Sequence, residues 1–280
     1  MKLIKTALVG TMVLGATISA TTKVSAIVNP KTEAKVEFEA GGVNPDTGIV
    51  KPDDKDKTPI KPLPPIGEND GNEKPSGSLA ITFAPVIDFG LVKIKTGEVT
   101  YSAKPMEYVN LSNPEAPINE WMPNILNVED VTGTKSGWTV SIQGSDFTNG
   151  KSGEEKKELE GAYLSFKTGR KVFNSAENGA SEITELSKFD SFGEIILSEN
   201  DLGVYESVNL LTAKKGHGAA VTTLVFDSKY KGNFSGEGST DYDANSRIDD
   251  VTLSIPSNAV PEVGTQYVSK LTWTLTQAPE

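Results

Sequence analysis

Apolar and polar side chains alternate along several short runs that begin at residue 79. Period-two alternation bounded by Gly, Asn, Asp, Ser or Pro is typical of strands with one buried face. The clearest runs cover residues 79–83, 138–142, 164–166, 251–255 and 271–275, and further candidates cover 86–89, 98–102, 127–131, 194–197, 207–211 and 221–226. So many short strands predict an all-β domain over residues 79–280, built as an antiparallel β-sandwich.

Residues 27–78 differ abruptly from this pattern. They hold eight of the sixteen prolines, a single aromatic residue (Phe38) and a charged block at residues 51–57. Such sequence buries too little apolar surface to offset the entropy lost on ordering. We therefore expect a disordered, proline-rich linker, extended as polyproline II around residues 61–65. A PxxP ligand for an SH3-like module is the alternative interpretation of that proline cluster.

The first 26 residues follow the pattern of a cleavable secretory signal. Lys2 and Lys5 give a basic start, residues 7–20 carry no charge, and the segment ends in Val24-Ser25-Ala26. The uncharged run is too short to span the roughly 30 Å of a bilayer core. We predict secretion with cleavage after Ala26. Because no hydrophobic tail or sorting motif precedes the C-terminus, we expect any surface retention to be non-covalent.

Composition excludes several kinds of chemistry. With no cysteine, the chain has no disulfide, thiolate-bound metal or thiol nucleophile, and its one histidine, His217, cannot form a multi-histidine metal site. No G-x-S-x-G motif accompanies that histidine. The net charge of −11 becomes −14 when residues 1–26, with three lysines and no acid, are removed. We expect no cofactor, no nucleic-acid partner and no enzymatic activity.

One acidic segment has the spacing of a calcium loop. Residues 241–250 carry acidic or amide side chains at nearly alternate positions, as a hard cation requires. However, Ser246 stands where the EF-hand turn needs glycine, and Thr252 stands in place of the bidentate glutamate. We interpret the segment as a polar loop and assign no metal to it.

Two W-x-L-like motifs stand in order along the chain. The second is Trp273-Thr274-Leu275, close to the C-terminus, and the first is Trp138-Thr139-Val140, in which valine replaces leucine. Other matching segments are Ile87-Asp88-Phe89-Gly90 and Val251 to Pro256. From residue 78 to residue 280 the chain resembles the WxL-domain family of surface proteins from low-GC Gram-positive bacteria.

This resemblance implies a cell-surface protein held non-covalently on peptidoglycan of the cell wall. It also implies assembly with other WxL proteins and with a membrane-anchored WxL-interacting protein. The candidate residues for wall or partner contact are then Trp138, Val140, Trp273 and Leu275. Two other functions stay open: an adhesin that binds host matrix proteins, and a secreted glycan hydrolase.

The tryptophans have two interpretations each. Trp138 and Trp273 either pack the core, where indole rings contribute large apolar areas, or form one platform for sugars or a partner if their strands adjoin. We expect Trp273→Ala to destabilise the domain and Trp138→Ala to weaken wall binding with the fold largely intact. Trp121 lies in a turn-rich stretch and is the candidate exposed aromatic for stacking on sugar; alternatively, it packs a loop onto the sandwich.

Overall fold

A computed structural model describes residues 35–43, 49–52, 59–63, 76–111, 113, 115, 117–177, 182–191, 193–231 and 242–278. The chain divides into residues 1–38 and residues 39–280, and the second unit carries every strand assigned in these ranges. The predicted signal peptide lies outside the described residues, as does most of the predicted linker. No helix within the described ranges is long and apolar enough to cross a membrane.

The described part of the second unit is built from strands, with one short 3₁₀ turn at Gly153–Glu155. Sixteen strands follow one another along it: β1 Ile49–Val50, β2 Pro59–Leu63, β3 Leu79–Phe83, β4 Val99–Ala103, β5 Met106–Asn110, β6 Ile118–Met122, β7 Ile125–Asp130, β8 Trp138–Gln143, β9 Tyr163–Phe166, β10 Lys171–Asn174, β11 Phe189–Ser191, β12 Ile195–Leu197, β13 Val208–Ala213, β14 Ala220–Val225, β15 Ile248–Ile255 and β16 Thr272–Gln277. The predicted all-β class is confirmed.

These strands form four separate four-stranded sheets, and every strand pair is antiparallel. Their strand orders are β1-β2-β5-β6 in sheet 1, β10-β14-β7-β3 in sheet 2, β12-β9-β15-β4 in sheet 3 and β11-β13-β8-β16 in sheet 4. The antiparallel arrangement is as predicted. The two-sheet sandwich is not, because four sheets take the place of two.

Sheet 2 explains why the architecture is not a sandwich. In β7 the side chain of Leu126 enters the main core, shared with sheets 3 and 4, whereas Ile125 enters a second core formed with sheet 1. In β14, Leu224 and Val225 divide between the two cores in the same way. A sheet covered on both faces needs apolar residues at consecutive positions. Sheet 2 is therefore an internal layer, which a simple sandwich lacks.

Two strands fall inside the region predicted to be a disordered linker. β1 pairs with β2, and β2 pairs with β5 from Ile60 opposite Asn110 to Leu63 opposite Glu107. Ile60 is buried in the second core. Pro62 lies opposite Tyr108 of β5, and on the other side of β2 the described residues of β1 pair only with Pro59 and Ile60, so a missing N–H at Pro62 is tolerated on that side. For these two strands the linker prediction is wrong.

Limited proteolysis of the mature chain is expected to leave a resistant fragment that begins before Ile49. Removing β1 and β2 would uncover Met106 and Tyr108, which are buried in the core between sheets 1 and 2. Mass spectrometry of the fragment locates its first residue. A stable fragment that begins near Ser78 would contradict this prediction and show that the domain is stable without β1 and β2.

Candidate functional site

The two W-x-L-like motifs lie on neighbouring strands. β8 and β16 pair antiparallel, with Trp273 opposite Ile142 and Leu275 opposite Val140. Directly opposed residues share one face of a sheet, and here that face is turned to the main core. The structure thus brings together the four candidate residues of the two motifs, although Trp138 and Trp273 are 135 positions apart in the sequence.

Trp138 is enclosed by the protein. Its side chain has 0% exposure, its Nε1 donates a hydrogen bond to the carbonyl oxygen of Gly218 at 3.2 Å, and its ring meets Phe189 edge-on at 6.3 Å between centroids. A buried indole needs such a partner for its N–H. Trp138 therefore lies in the core, and in this structure no surface of it is left for direct contact with a glycan.

Glycines allow the backbone to close around this indole. A Cβ atom on Gly137 would lie 2.5 Å from the carbonyl oxygen of Ala213, and one on Gly218 would lie 2.6 Å from Nε1 of Trp138. Both glycines also have positive φ, +86° and +83°, which strains other residues. The segment before the first tryptophan and the loop that contains His217 are therefore part of the same packing unit.

The second motif is less deeply buried than the first. β16 is an edge strand of sheet 4, so Trp273 and Leu275 are half-buried, and the Trp273 ring lies 6.3 Å from that of Phe226 between centroids. Val140, which replaces the motif's leucine, is fully buried opposite Leu275. The motif residues are therefore mainly elements of the core, with Trp273 and Leu275 at its margin.

Trp121 lies elsewhere, on β6 of sheet 1, and it is half-buried rather than exposed. With Pro62, Leu63, Phe83, Val86, Asp88, Lys104, Pro105, Met106 and Glu107 it lines a cavity of about 280 Å³. We name this cavity the Trp121 cleft. It combines apolar surface with two carboxylates and one ammonium group, a composition typical of small-ligand sites.

Local hydrogen bonds fix the acidic rim of the Trp121 cleft. Asp88 Oδ1 accepts from the backbone N–H of Gly90 at 2.7 Å, its carbonyl oxygen accepts from the N–H of Lys104 at 2.7 Å, and its Oδ2 lies 3.3 Å from Lys104 Nζ. Gly90 has φ +71°, and a Cβ there would lie 3.1 Å from the Lys104 side chain. The turn therefore holds the ammonium group against the rim.

The part of the cleft formed by Glu107 and Trp121 is held across sheet 1. Glu107 lies directly opposite Trp121 in the β5–β6 pair, and its Oε1 accepts a hydrogen bond from Asn119 Nδ2 at 2.9 Å. The backbone of Trp121 pairs with Tyr242, whose hydroxyl donates to Asp227 at 2.5 Å. Sequence reasoning found Trp121 but missed its companions; the Asp-x-Gly spacing of Asp88 and Gly90, read there as part of a strand, is the one local signal that could have indicated a turn at the rim.

A second cavity, of about 350 Å³, is formed by loop residues around Asn149, Gln266 and Val268. Its two lysines are engaged locally, Lys151 with Glu155 and Lys157 with Glu262. The described lining contains no aromatic ring. This cavity therefore offers less for recognition than the Trp121 cleft does.

The remaining candidate residues contact other groups of the protein. His217 Nδ1 lies 3.0 Å from Glu177 Oε1. In the acidic loop, Asp241 lies outside the described residues, and Asp243 accepts hydrogen bonds from the Ser246 hydroxyl and from the N–H groups of Asn245 and Ser246. These bonds, led by the one from the hydroxyl, lower the pKa of Asp243. Within the described ranges no cluster of three acidic or histidine side chains is arranged to hold a metal ion.

Comparison with known proteins identifies the family of this chain. The family model of the WxL domain, described as a surface cell wall-binding domain, matches residues 26–279. No curated protein and no solved structure matches the chain. The match starts at residue 26, well before the region in which the motifs lie, and it includes β1 and β2. The chain therefore belongs to the WxL family of cell wall-binding surface domains.

Proposed function

We propose that this protein is secreted by means of residues 1–26 and attaches non-covalently to peptidoglycan without catalysing a reaction. The observation that carries the proposal is the family match over residues 26–279, since the family's domain is cell wall-binding. We further propose that it works in a complex with other WxL proteins and a membrane-anchored WxL-interacting protein, as the motif resemblance implies.

Because the motif residues are largely buried, they contribute to wall attachment in a different way from the surface residues. Trp138 and Val140 are fully enclosed, so they support wall attachment by maintaining the fold. Contact with the wall then falls to surface groups. One such surface is the outer face of sheet 4, where the exposed Thr272, Thr274 and Thr276 follow one another along β16. Another is the Trp121 cleft.

Net charge limits how these surfaces reach the wall. The mature chain carries −14, and a wall rich in teichoic acid is also negative, so long-range electrostatics oppose their approach. Attachment must then depend on short-range packing and hydrogen bonds, or on a partner protein. Lowering the pH toward carboxylate pKa values of about 4 removes negative charge, and salt screens the repulsion over a Debye length of about 8 Å at 0.15 M.

The mature chain is therefore expected to stay on purified cell walls when salt is added, and to bind more strongly at mildly acid pH. The measurement is a pull-down on walls with and without teichoic acid, followed across salt and pH. Release at neutral pH by about 0.5 M salt would contradict the prediction, because only attraction between opposite charges weakens in that way. Failure to bind walls, with binding to matrix proteins, would favour the adhesin. Release of labelled wall fragments would favour the hydrolase.

A further inference from the structure

We propose that the Trp121 cleft is the glycan-binding site of the domain, and that it takes an uncharged N-acetylated sugar unit of the wall glycan. This inference rests on the proposed function, since it assumes that the ligand is a wall polymer. It assigns the contact to a site separate from the two W-x-L motifs, which lie in sheet 4 and the main core.

The shape of the cleft suits a sugar ring. A pyranose has an apolar face of C–H groups that packs against a flat aromatic ring, and Trp121 offers a half-buried indole on a fixed strand. Half-buried Leu63, which shares a face of sheet 1 with Trp121, and exposed Val86 add apolar surface to the cleft, whereas its other apolar lining residues are almost fully buried. The volume of about 280 Å³ is near the lower end of the ~300–1,000 Å³ usual for small-ligand sites, which fits a short saccharide segment.

The polar groups around the indole match the groups on such a sugar. Glu107 uses Oε1 for Asn119, and its Oε2 has no partner within the described residues, so it is available to accept from a hydroxyl or amide N–H. Lys104 Nζ has three N–H donors and pairs with Asp88 through one of them, so it can donate to an acetamido carbonyl. Donors and acceptors thus line the same cleft as the ring.

The charge of the cleft selects against the other main wall polymer. Asp88 and Glu107 place two carboxylates beside the single ammonium group of Lys104. A teichoic acid phosphate would meet this excess of negative charge as well as the negative field of the whole chain. A neutral sugar avoids both costs. The cleft therefore favours the glycan strand over the anionic polymer.

The test is calorimetric titration of the mature chain with a β-1,4-linked N-acetylglucosamine tetrasaccharide, beside pull-downs on purified walls. Trp121→Ala is expected to weaken tetrasaccharide binding about tenfold or more, as loss of a central aromatic contact does. Trp121→Phe is expected to fall between it and the wild type. Glu107→Gln, which keeps the shape of the side chain, is expected to weaken binding about three- to tenfold. Glu262→Gln, beside the second cavity, is the matched control and should bind as the wild type.

Each other outcome decides between the two proposals. If the wild type is retained on walls but folded Trp121→Ala and Glu107→Gln bind walls and tetrasaccharide equally well, the cleft is not the site and wall attachment stands. The same conclusion follows if the wild type binds walls but not the tetrasaccharide. If Trp121→Ala does not fold, as judged by thermal unfolding, unchanged affinity of Glu107→Gln overturns the inference. Absence of wild-type retention on walls overturns the proposed function itself.

Discussion

Replacing Trp138 with alanine is expected to lower the free energy of unfolding by about 3–5 kcal/mol, the usual cost of removing a large aromatic from a core. The indole is fully buried, packs on Phe189 and satisfies the carbonyl of Gly218, so its removal leaves both a cavity and an unpaired polar group. Against a typical margin of about 5–15 kcal/mol, this loss brings the domain close to unfolding.

Denaturant unfolding of Trp138→Ala measures the loss, and Trp138→Phe is the control. Phenylalanine keeps an aromatic ring next to Phe189 but has no N–H for Gly218, so we expect an intermediate loss of stability. Wall retention should fall with the folded fraction in both variants. This replaces the expectation from sequence that Trp138→Ala loses binding while the fold stays intact. A fully stable Trp138→Ala protein that no longer binds walls would restore the platform interpretation.

The motif strands show what a sequence pattern predicts well and what it does not. Alternation identified β8 and β16 and placed Trp138, Val140 and Ile142 on one face, because side-chain period is a local property of a strand. The depth at which a side chain is buried is not determined by the local sequence. Trp138 lies on an internal strand and Trp273 on an edge strand of sheet 4, and only the long-range pairing sets that difference.

Alternation also predicted a strand at a segment where the chain bends and does not pair with another strand. Residues 86–89 alternate like a strand, yet they form an irregular segment that follows β3. There the Asp88 carboxylate and carbonyl bind Gly90 and Lys104, so the backbone turns to form the rim of the Trp121 cleft. The cleft was invisible from sequence because its residues come from four separate segments of the chain.

Sheet 1 was missed because polar groups fill part of its buried face. Glu120 accepts a hydrogen bond from Lys51 Nζ at 2.9 Å, from Asn110 Nδ2 at 3.2 Å and from the Tyr108 hydroxyl. The Lys51 ammonium also lies 5.2 Å from the centre of the Tyr108 ring. Hydropathy patterns treat Lys, Asn and Glu as exposed residues. For this reason β6 and the segment around β1 were not predicted as parts of a core.

These contacts set the pKa values of the two acids in opposite directions. Partial burial raises the pKa of Glu120, but hydrogen bonds from Tyr108, Lys51 and Asn110 outweigh it, and the net pKa is lowered. Burial, reinforced by the neighbouring Glu120, raises the pKa of Tyr108. The cluster is therefore most favourable with Glu120 ionised and Tyr108 protonated, which is the state at neutral pH.

Lys51→Ala is expected to lower the free energy of unfolding by about 2–3 kcal/mol at neutral pH, because it leaves Glu120 without its cation. The loss is below the ~3–5 kcal/mol of a fully buried pair, since Lys51 is 4% exposed but Glu120 keeps 32% of its side chain accessible. Lys61→Ala is the control: this lysine is exposed on β2, and its removal should change stability by less than about 0.5 kcal/mol.

At acid pH, Lys51→Ala and the wild type should have the same free energy of unfolding. A carboxyl whose pKa is lowered on folding stabilises the protein above its unfolded pKa, and that contribution disappears as pH falls through the folded value. Denaturant unfolding at pH 7 and at successively lower pH measures the free energy of unfolding of both proteins. Plotted against pH, the values for Lys51→Ala and for the wild type should converge below about pH 4. Equal stability of Lys51→Ala and Lys61→Ala at pH 7 would instead mean that the strand before Lys51 does not belong to the cooperative fold, and the linker would extend past it.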